Sequence, residues 1–331
     1  MDELVDSSGI GDDRTALRAR LGEDGYLYFP RLVDPAPVRA LRSSILAELA
    51  QRGWLAAGSD PEDALPDDVI RAEVVRSQEE LEAALQEDGW FGGYRAIQRL
   101  EAFHRLAFDD DLVGTVRTLL GDDAFPHPRK IARVVYPSDP TLTTAPHQDY
   151  THIQGTADFV TCWLPLGDYS RGAGGLRILR ASGANGVYPV EAADGAGGIG
   201  SKVASDGPGW LTTDFHAGDV LLFHSLTVHA GSPNTSQALR LSVDYRFQSA
   251  SQPITSASLK PHMHPRVPDW PDLIDGWETT RWIVPPTGMR VVEWMPPDVT
   301  AEDGLAAWHR QMPAPVSELV SIQGDGVAAP A

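Results

Sequence analysis

Nine residues do most to limit what this chain can become. In Leu239-Arg240-Leu241-Ser242-Val243-Asp244-Tyr245-Arg246-Phe247 apolar and polar side chains alternate without a break, and a period of two belongs to a β-strand with one face in a core. Leu239, Leu241, Val243, Tyr245 and Phe247 share the apolar face; Arg240, Ser242, Asp244 and Arg246 share the other. Further short apolar runs, Ile131 to Tyr136, Phe159 to Leu166, Val220 to Phe223 and Thr227 to Ala230, are separated by turn residues. That spacing predicts an antiparallel β sandwich or barrel and argues against βαβ units.

The first third reads differently. Asp12 to Leu21 is a short amphipathic helix, Gly25 to Phe29 is β-prone, and Pro35 to Gln51 sets Val38, Leu41, Ile45, Leu46 and Leu49 in one helical stripe. Ile97 to Phe108 and Asp111 to Leu120 are two more helices, the second closed by Gly121. Gly172 to Gly209 is rich enough in Gly and Ala to suggest long surface loops. Beyond Gln252, many prolines and Trp270, Trp277, Trp282, Trp294 and Trp308 suggest an irregular wrap. The organisation expected is one domain over 1–331: a mostly helical part at 1–125, a β core at 126–250 that carries the site, and a C-terminal wrap and tail at 251–331.

Charge narrows the partners. The chain holds 46 acidic and 27 basic residues, a formal net of −19, and such a field repels phosphate backbones and anionic headgroups. Nucleic acid and membrane surfaces are therefore poor partners. No apolar run approaches the roughly 18 residues that span a bilayer, and the opening Met1 to Asp6 lacks the features of a secretory signal. With Cys162 as its one cysteine the chain forms no internal disulfide, which fits a reducing cytoplasm. A small-molecule substrate and a monomer or homodimer are expected.

Ala145-Pro146-His147-Gln148-Asp149-Tyr150 carries the chemistry. On extended backbone His147 and Asp149 point to one face, so a neutral nitrogen and an anionic oxygen converge. His229, at the end of a strand-like run, is a third donor. Two histidines and one carboxylate are the facial triad of non-haem Fe(II) oxygenases, which leaves three coordination positions for a chelating 2-oxoacid and O2. After His229 the turn Gly231 to Ser236 leads into the alternating strand. A hairpin there would lay Arg240 alongside His229, where its guanidinium can clamp the distal carboxylate of 2-oxoglutarate, with Ser242 as helper. Asp244 and Arg246 are expected to be solvated.

With these residues in place the chain resembles the phytanoyl-CoA dioxygenase family of Fe(II)- and 2-oxoglutarate-dependent oxygenases. The likeness rests on His147-Gln148-Asp149, on Phe159 to Leu166, on Ala217-Gly218-Asp219-Val220-Leu221-Leu222-Phe223-His224, and on His229 with Arg240 eleven residues on. It extends weakly to Asp24 to Phe29. The resemblance implies a mainly β fold with helical additions: a double-stranded β-helix (jelly-roll, cupin-like) core with N-terminal helices packed on the major sheet. It places Fe(II) on His147, Asp149 and His229 and 2-oxoglutarate on Arg240, and its flavour is that of bacterial hydroxylases of secondary metabolism. Many relatives carry Ser or Thr two residues after the distal histidine, where this chain has Gly231, so Thr144, Thr161 or Ser242 is left to support the co-substrate. Halogenating cousins lack the acid; Asp149 favours hydroxylation. The same oxidative chemistry ending in desaturation, epoxidation or ring expansion stays open, as does a cupin-like metal-binding module without oxidation.

Other signals carry less. Gln148 and His224 are candidates to support the ligands, His224 alternatively as a core residue. Tyr150, Trp90, Phe91, Tyr94 and Trp163 either shape an apolar substrate pocket or pack a core. Gly195 to Gly200 matches G-x-G-x-x-G, but no helix pattern follows, so a loop is expected rather than a dinucleotide site. His262 and His264 lack an evident third ligand, His152 reads as a solvated loop residue, and Cys162 reads as core.

Overall fold

The computed structural model describes residues 1–67, 90–137, 143–193 and 197–297, without the side chains of Trp90 and Phe91. Trp308 and the tail from 298, and Gly195 and Ala196 of the glycine-rich run, lie outside the described residues. The helices that matter are α1 (Arg14–Asp24), α2 (Pro35–Gln51), α3 (Trp90–Arg99), α4 (Glu101–Arg105), α5 (Asp110–Leu120) and α6 (Asp149–Ile153). Local chemistry sets their ends. Asp34 caps α2 by accepting from the Ala36 amide, with Pro35 at the first helical position. Asp109 caps α5 in the same way, and Gly121 closes it at φ 122. The single helix expected over Ile97 to Phe108 is broken at Leu100, whose ψ of 108 is extended. Nε2 of the buried His104 bonds the Gln98 carbonyl at 2.9 Å, occupying the acceptor that a continuous helix would give to Ala102.

The strands are β1 (Asp2–Glu3), β2 (Tyr26–Phe29), β3 (Ala124–Pro126), β4 (Ile131–Val135), β5 (Phe159–Pro165), β6 (Leu176–Leu179), β7 (Val190–Ala192), β8 (Ile199–Ser201), β9 (Trp210–Thr212), β10 (Val220–His224), β11 (His229–Gly231) and β12 (Arg240–Ser249). A large sheet runs β2-β10-β5-β12-β3, with β4 also paired to β12; a smaller one runs β1-β9-β6-β11. Tyr26, Trp163, Leu221 and Phe223 of the large sheet meet Leu176, Ile178 and Leu211 of the small one in a shared apolar cluster, so the two sheets face each other as the halves of a double-stranded β-helix. On the outer side of the large sheet, Val160, Cys162, Leu164, Leu241, Val243, Tyr245 and Phe247 pack against apolar residues of α1, α2, α3 and α5. The expected fold class holds.

Two expectations change. Gly172 to Gly209 is not loop alone: it supplies β6, buried in the small sheet, and the β7–β8 hairpin. Its glycines flank strands of only three or four residues, too short to show periodicity. The strand that follows Gly198 also excludes the helix a dinucleotide fingerprint requires. Nor do β11 and β12 form a hairpin. β11 pairs with β6 in the small sheet and β12 with β5, β4 and β3 in the large one, so Ser232 to Leu239 cross between sheets, braced by Asn234 Nδ2 donating to the carbonyls of Val135 and Ala238.

The described part of the C-terminal segment is tied to the rest of the fold by its indoles. Trp277 Nε1 donates to Arg99 O and Trp282 Nε1 to a Glu101 carboxylate oxygen, both at 2.7 Å, and Trp294 Nε1 reaches Thr151 O. Lys130, fully buried, donates to Trp282 O at 2.7 Å. No helix among the described residues is long and apolar enough to cross a membrane.

Burial of two histidines in this scaffold has a pH consequence. Desolvation presses His127 and His224 from 6.5 to about 3, whereas unfolded histidine titrates near about 6.5. Between those values the unfolded chain binds more protons, so stability falls as pH drops through that window. The denaturant midpoint of the metal-free protein should decline from pH 7 to pH 4, and His224→Leu should flatten the decline; an equal slope in the variant would contradict it.

Candidate metal centre

His147 and His229 are brought together by backbone pairing. Each amide donates to the other's carbonyl, at 2.9 and 3.0 Å, so His147 extends the small sheet beside β11 and the two rings lie 4.1 Å apart between centroids. Nδ1 of His147 donates to Ala145 O at 2.9 Å and Nδ1 of His229 to Thr227 O at 3.1 Å. Because the partners are carbonyls, the proton sits on Nδ1 and the Nε2 lone pair of each ring is free. Burial holds His147 at about 3 and His229 at about 4, so both are neutral at physiological pH, the state in which an imidazole can take a metal.

Asp149 arrives by a different route from its neighbour. Gln148 is extended, at φ −109 and ψ 132, and Asp149 begins the short α6. Gln148 is fully buried; its amide donates to Gly186 O and Leu226 O and its Oε1 accepts from Tyr188 N, so the backbone between the two donors is held from three sides. Oδ1 of Asp149 stands 3.8 Å from Nε2 of His147 and 3.9 Å from Nε2 of His229, too far for hydrogen bonds. The three donor atoms lie within 4.8 Å of one another, all on buried residues. Burial alone would raise the Asp149 pKa, but the Arg246 guanidinium, the two imidazoles and the Thr161 hydroxyl hold it well below the usual carboxylate range. Two neutral nitrogens and one anionic oxygen, unquenched by mutual bonding, suit a divalent first-row cation.

The set opens on a cavity whose polar walls are Arg133, Thr144, Thr161, Arg240 and Asp244 and whose apolar walls are Trp163, Leu176 and Phe223. Arg240 comes from the opposite sheet. It is 3% exposed, donates through Nε to Gly174 O at 2.9 Å and through Nη1 to Ser242 Oγ, and lies 5.8 Å over the Trp163 ring. No carboxylate among the described residues pairs with it, and burial lowers its pKa to about 10. Thr161 donates to Asp149 Oδ2, while Thr144 pairs its backbone with Gly231. A Cβ at Gly231 would meet Thr144 at 3.4 Å or more, ordinary contact, so the missing hydroxyl there reflects no steric demand.

Other residues lie elsewhere than the sequence suggested. Asp244 and Arg246, expected in solvent, are 3% and 2% exposed: the polar face of β12 is the barrel interior. Arg246 forks Asp149 through Nη2 to both oxygens at 3.1 Å, and Asp244 accepts from Arg133 Nε at 2.7 Å. His224 sits one residue beyond the cavity-lining Phe223 and so turns to the opposite face, opposite Val160; it does not stand beside the ligands. Tyr94 is buried in the helix-side core with its hydroxyl on Nδ1 of His262 at 2.6 Å. Neither Tyr94 nor Tyr150 lines the cavity, and the side chains of Trp90 and Phe91 lie outside the described residues. His152 is half-buried rather than fully solvated, and its ring packs edge-on to His147 at 5.4 Å. Sequence reasoning missed Arg133, Asp244 and Arg246, although the alternation that put Arg240 on the polar face put the last two there as well.

A family model described as phytanoyl-CoA dioxygenase (PhyH) matches residues 21–242, more than half of the chain. Two relatives, the 1-deoxypentalenic acid 11-beta-hydroxylases of Streptomyces arenae and Streptomyces exfoliatus, are 26% identical over 269 residues and 27% over 272, covering 75% and 76% of this chain and 86% and 87% of theirs. Among solved structures, the apo non-heme monooxygenase ThoJ superposes with TM-score 0.49 at 16% identity, over 93% of this chain and 99% of its own. The epimerase SnoN in complex with Fe3+, alpha ketoglutarate and nogalamycin RO gives 0.47 at 19%, over 72% and 85%.

Proposed function

The chain belongs to the phytanoyl-CoA dioxygenase family, and from that premise we propose that it is an Fe(II)- and 2-oxoglutarate-dependent dioxygenase that hydroxylates an unactivated C–H bond of a small organic molecule, in bacterial secondary metabolism. One observation carries the reading: the buried His147, Asp149 and His229 share a cavity with a buried arginine, Arg240, that no carboxylate among the described residues neutralises. In it the first three hold ferrous iron, and Arg240, steadied by Ser242, takes the distal carboxylate of the co-substrate.

Bound iron supplies the oxidation itself: substrate C–H, O2 and 2-oxoglutarate become C–OH, succinate and CO2. The chain's own residues do the rest. The Nδ1 bonds to Ala145 and Thr227 aim both imidazoles; Arg246 and Thr161 fix the Asp149 carboxylate; Trp163, Leu176 and Phe223 exclude water and offer an apolar wall. Asp149 and the hydroxylase relatives support hydroxylation over halogenation, and Arg240 weighs against a bare metal-binding module. The helices, the large sheet and Val267 and Leu273 of the C-terminal wrap share one core, which supports one oxygenase domain; the single buried cysteine fits a cytoplasmic enzyme.

Purified protein with ferrous iron should release succinate slowly from 2-oxoglutarate without added substrate. Addition of 2-oxoglutarate under anaerobic conditions should raise a visible charge-transfer absorption. A chelator should abolish both, and Fe(II) but not Zn(II) should restore both. Iron bound with no band would favour the binding module.

A further inference from the structure

The reading above accounts for Arg240 and Arg246 but leaves Arg133 without a task. It projects from β4 into the cavity wall, opposite Ser242 in the sheet register. Its Nε donates to Asp244 Oδ2 at 2.7 Å, and Asp244 is itself steadied by Arg246 at 3.8 Å. That bond uses only one corner of the guanidinium. No described residue accepts from its two terminal nitrogens, and the side chain keeps 21% of its surface open. The guanidinium is therefore held through Nε at the cavity wall, which leaves its two terminal nitrogens for the planar carboxylate that such a fork suits.

The charge balance points the same way. Counting the cavity wall and the arginine that forks Asp149, three arginines (Arg133, Arg240, Arg246) stand against two carboxylates (Asp149, Asp244). A dication and the dianionic co-substrate cancel each other, so the loaded pocket keeps one surplus positive charge. A buried charge of this kind is costly until a partner reaches it.

We propose that Arg133 anchors a carboxylate on the organic substrate, so that the enzyme acts on a monoanionic apolar acid rather than on a neutral molecule. The proposal rests on the assignment of iron and 2-oxoglutarate to this cavity. Trp163, Leu176 and Phe223 take the hydrocarbon body while Arg133 holds the anionic end, orienting the body relative to the metal ligands.

Two probes of one shape test it: adamantane-1-carboxylate and the uncharged adamantane-1-carboxamide, titrated anaerobically into protein loaded with Fe(II) and 2-oxoglutarate, with perturbation of the visible absorption as readout. The carboxylate should bind at least tenfold more tightly than the amide. Arg133→Met should erase that preference while the 2-oxoglutarate band forms with affinity within about twofold of wild type. Should Arg133→Met fold poorly, Arg133→Gln with Asp244→Asn removes both charges together and should give the same loss of preference. Equal binding of acid and amide by wild type, or no response to either, would overturn the proposal. Loss of the 2-oxoglutarate band in either variant would overturn it too, by assigning Arg133 to the co-substrate. Absence of that band in iron-loaded wild type is a different failure, because it removes the oxygenase reading first.

Discussion

Asp149→Ala is expected to lose more than about 100-fold in ferrous-iron affinity and in iron-dependent succinate release, because even residues that only orient metal ligands cost 10- to 100-fold when changed. The same substitution should destabilise the fold. Asp149 is 1% exposed and takes Arg246 on both oxygens; removing it strands a guanidinium at 2% exposure whose Nη1 already lacks a partner. Breaking a buried pair from one side costs about 3–5 kcal/mol, whereas replacing both partners with apolar groups is often neutral. Asp149→Ala with Arg246→Met should therefore recover most of the denaturant midpoint and none of the iron binding. Metal content after dialysis and unfolding curves on both proteins separate the two roles. A single variant that keeps its iron would remove Asp149 from the metal site, and a double variant as unstable as the single would deny that Arg246 is the source of the instability.

That Arg246 matters at all shows where a sequence stops speaking. The alternation of β12 states which side chains share a face, and Leu241, Val243, Tyr245 and Phe247 do share the core under the helices. It does not state whether the other face meets water or a second sheet. Here the covering sheet is built from β1, β6, β9 and β11, of two to four residues each, and pieces that short carry no period to read. So Asp244 and Arg246 looked like surface residues, and Arg133, inside an otherwise apolar run, gave no sign of facing a ligand. The candidate metal donors stood out because their chemistry is rare in combination, not because their geometry was legible: Asp149 lies on the first turn of α6 rather than on extended chain. Proximity misled in one place. Eleven residues between His229 and Arg240 suggested a hairpin, yet the chain crosses between sheets, and the arginine meets the histidines across the barrel.

That crossing gives Arg240 an energetic signature opposite to that of Asp149. Without co-substrate its charge is buried against a carbonyl, a hydroxyl and the Trp163 ring, with no carboxylate among the described residues paired to it, so the folded protein bears a desolvation cost that a partner anion would relieve. Arg240→Met should therefore leave the stability of the ligand-free protein unchanged or slightly higher, with iron binding intact. What it should lose is 2-oxoglutarate. Truncating one side of a buried hydrogen-bonded charge pair costs about 2–5 kcal/mol, or a weakening of affinity by about 30-fold to several thousand-fold. Arg240→Lys should fall between, since an ammonium keeps the charge but cannot reproduce the fork or hold Gly174 and Ser242 together. Titration of the visible absorption with 2-oxoglutarate gives the affinities, and urea unfolding gives the stabilities. If Arg240→Met binds 2-oxoglutarate as wild type does, the anchor is not on β12, and Arg133 becomes the remaining arginine on the cavity wall able to fill that role.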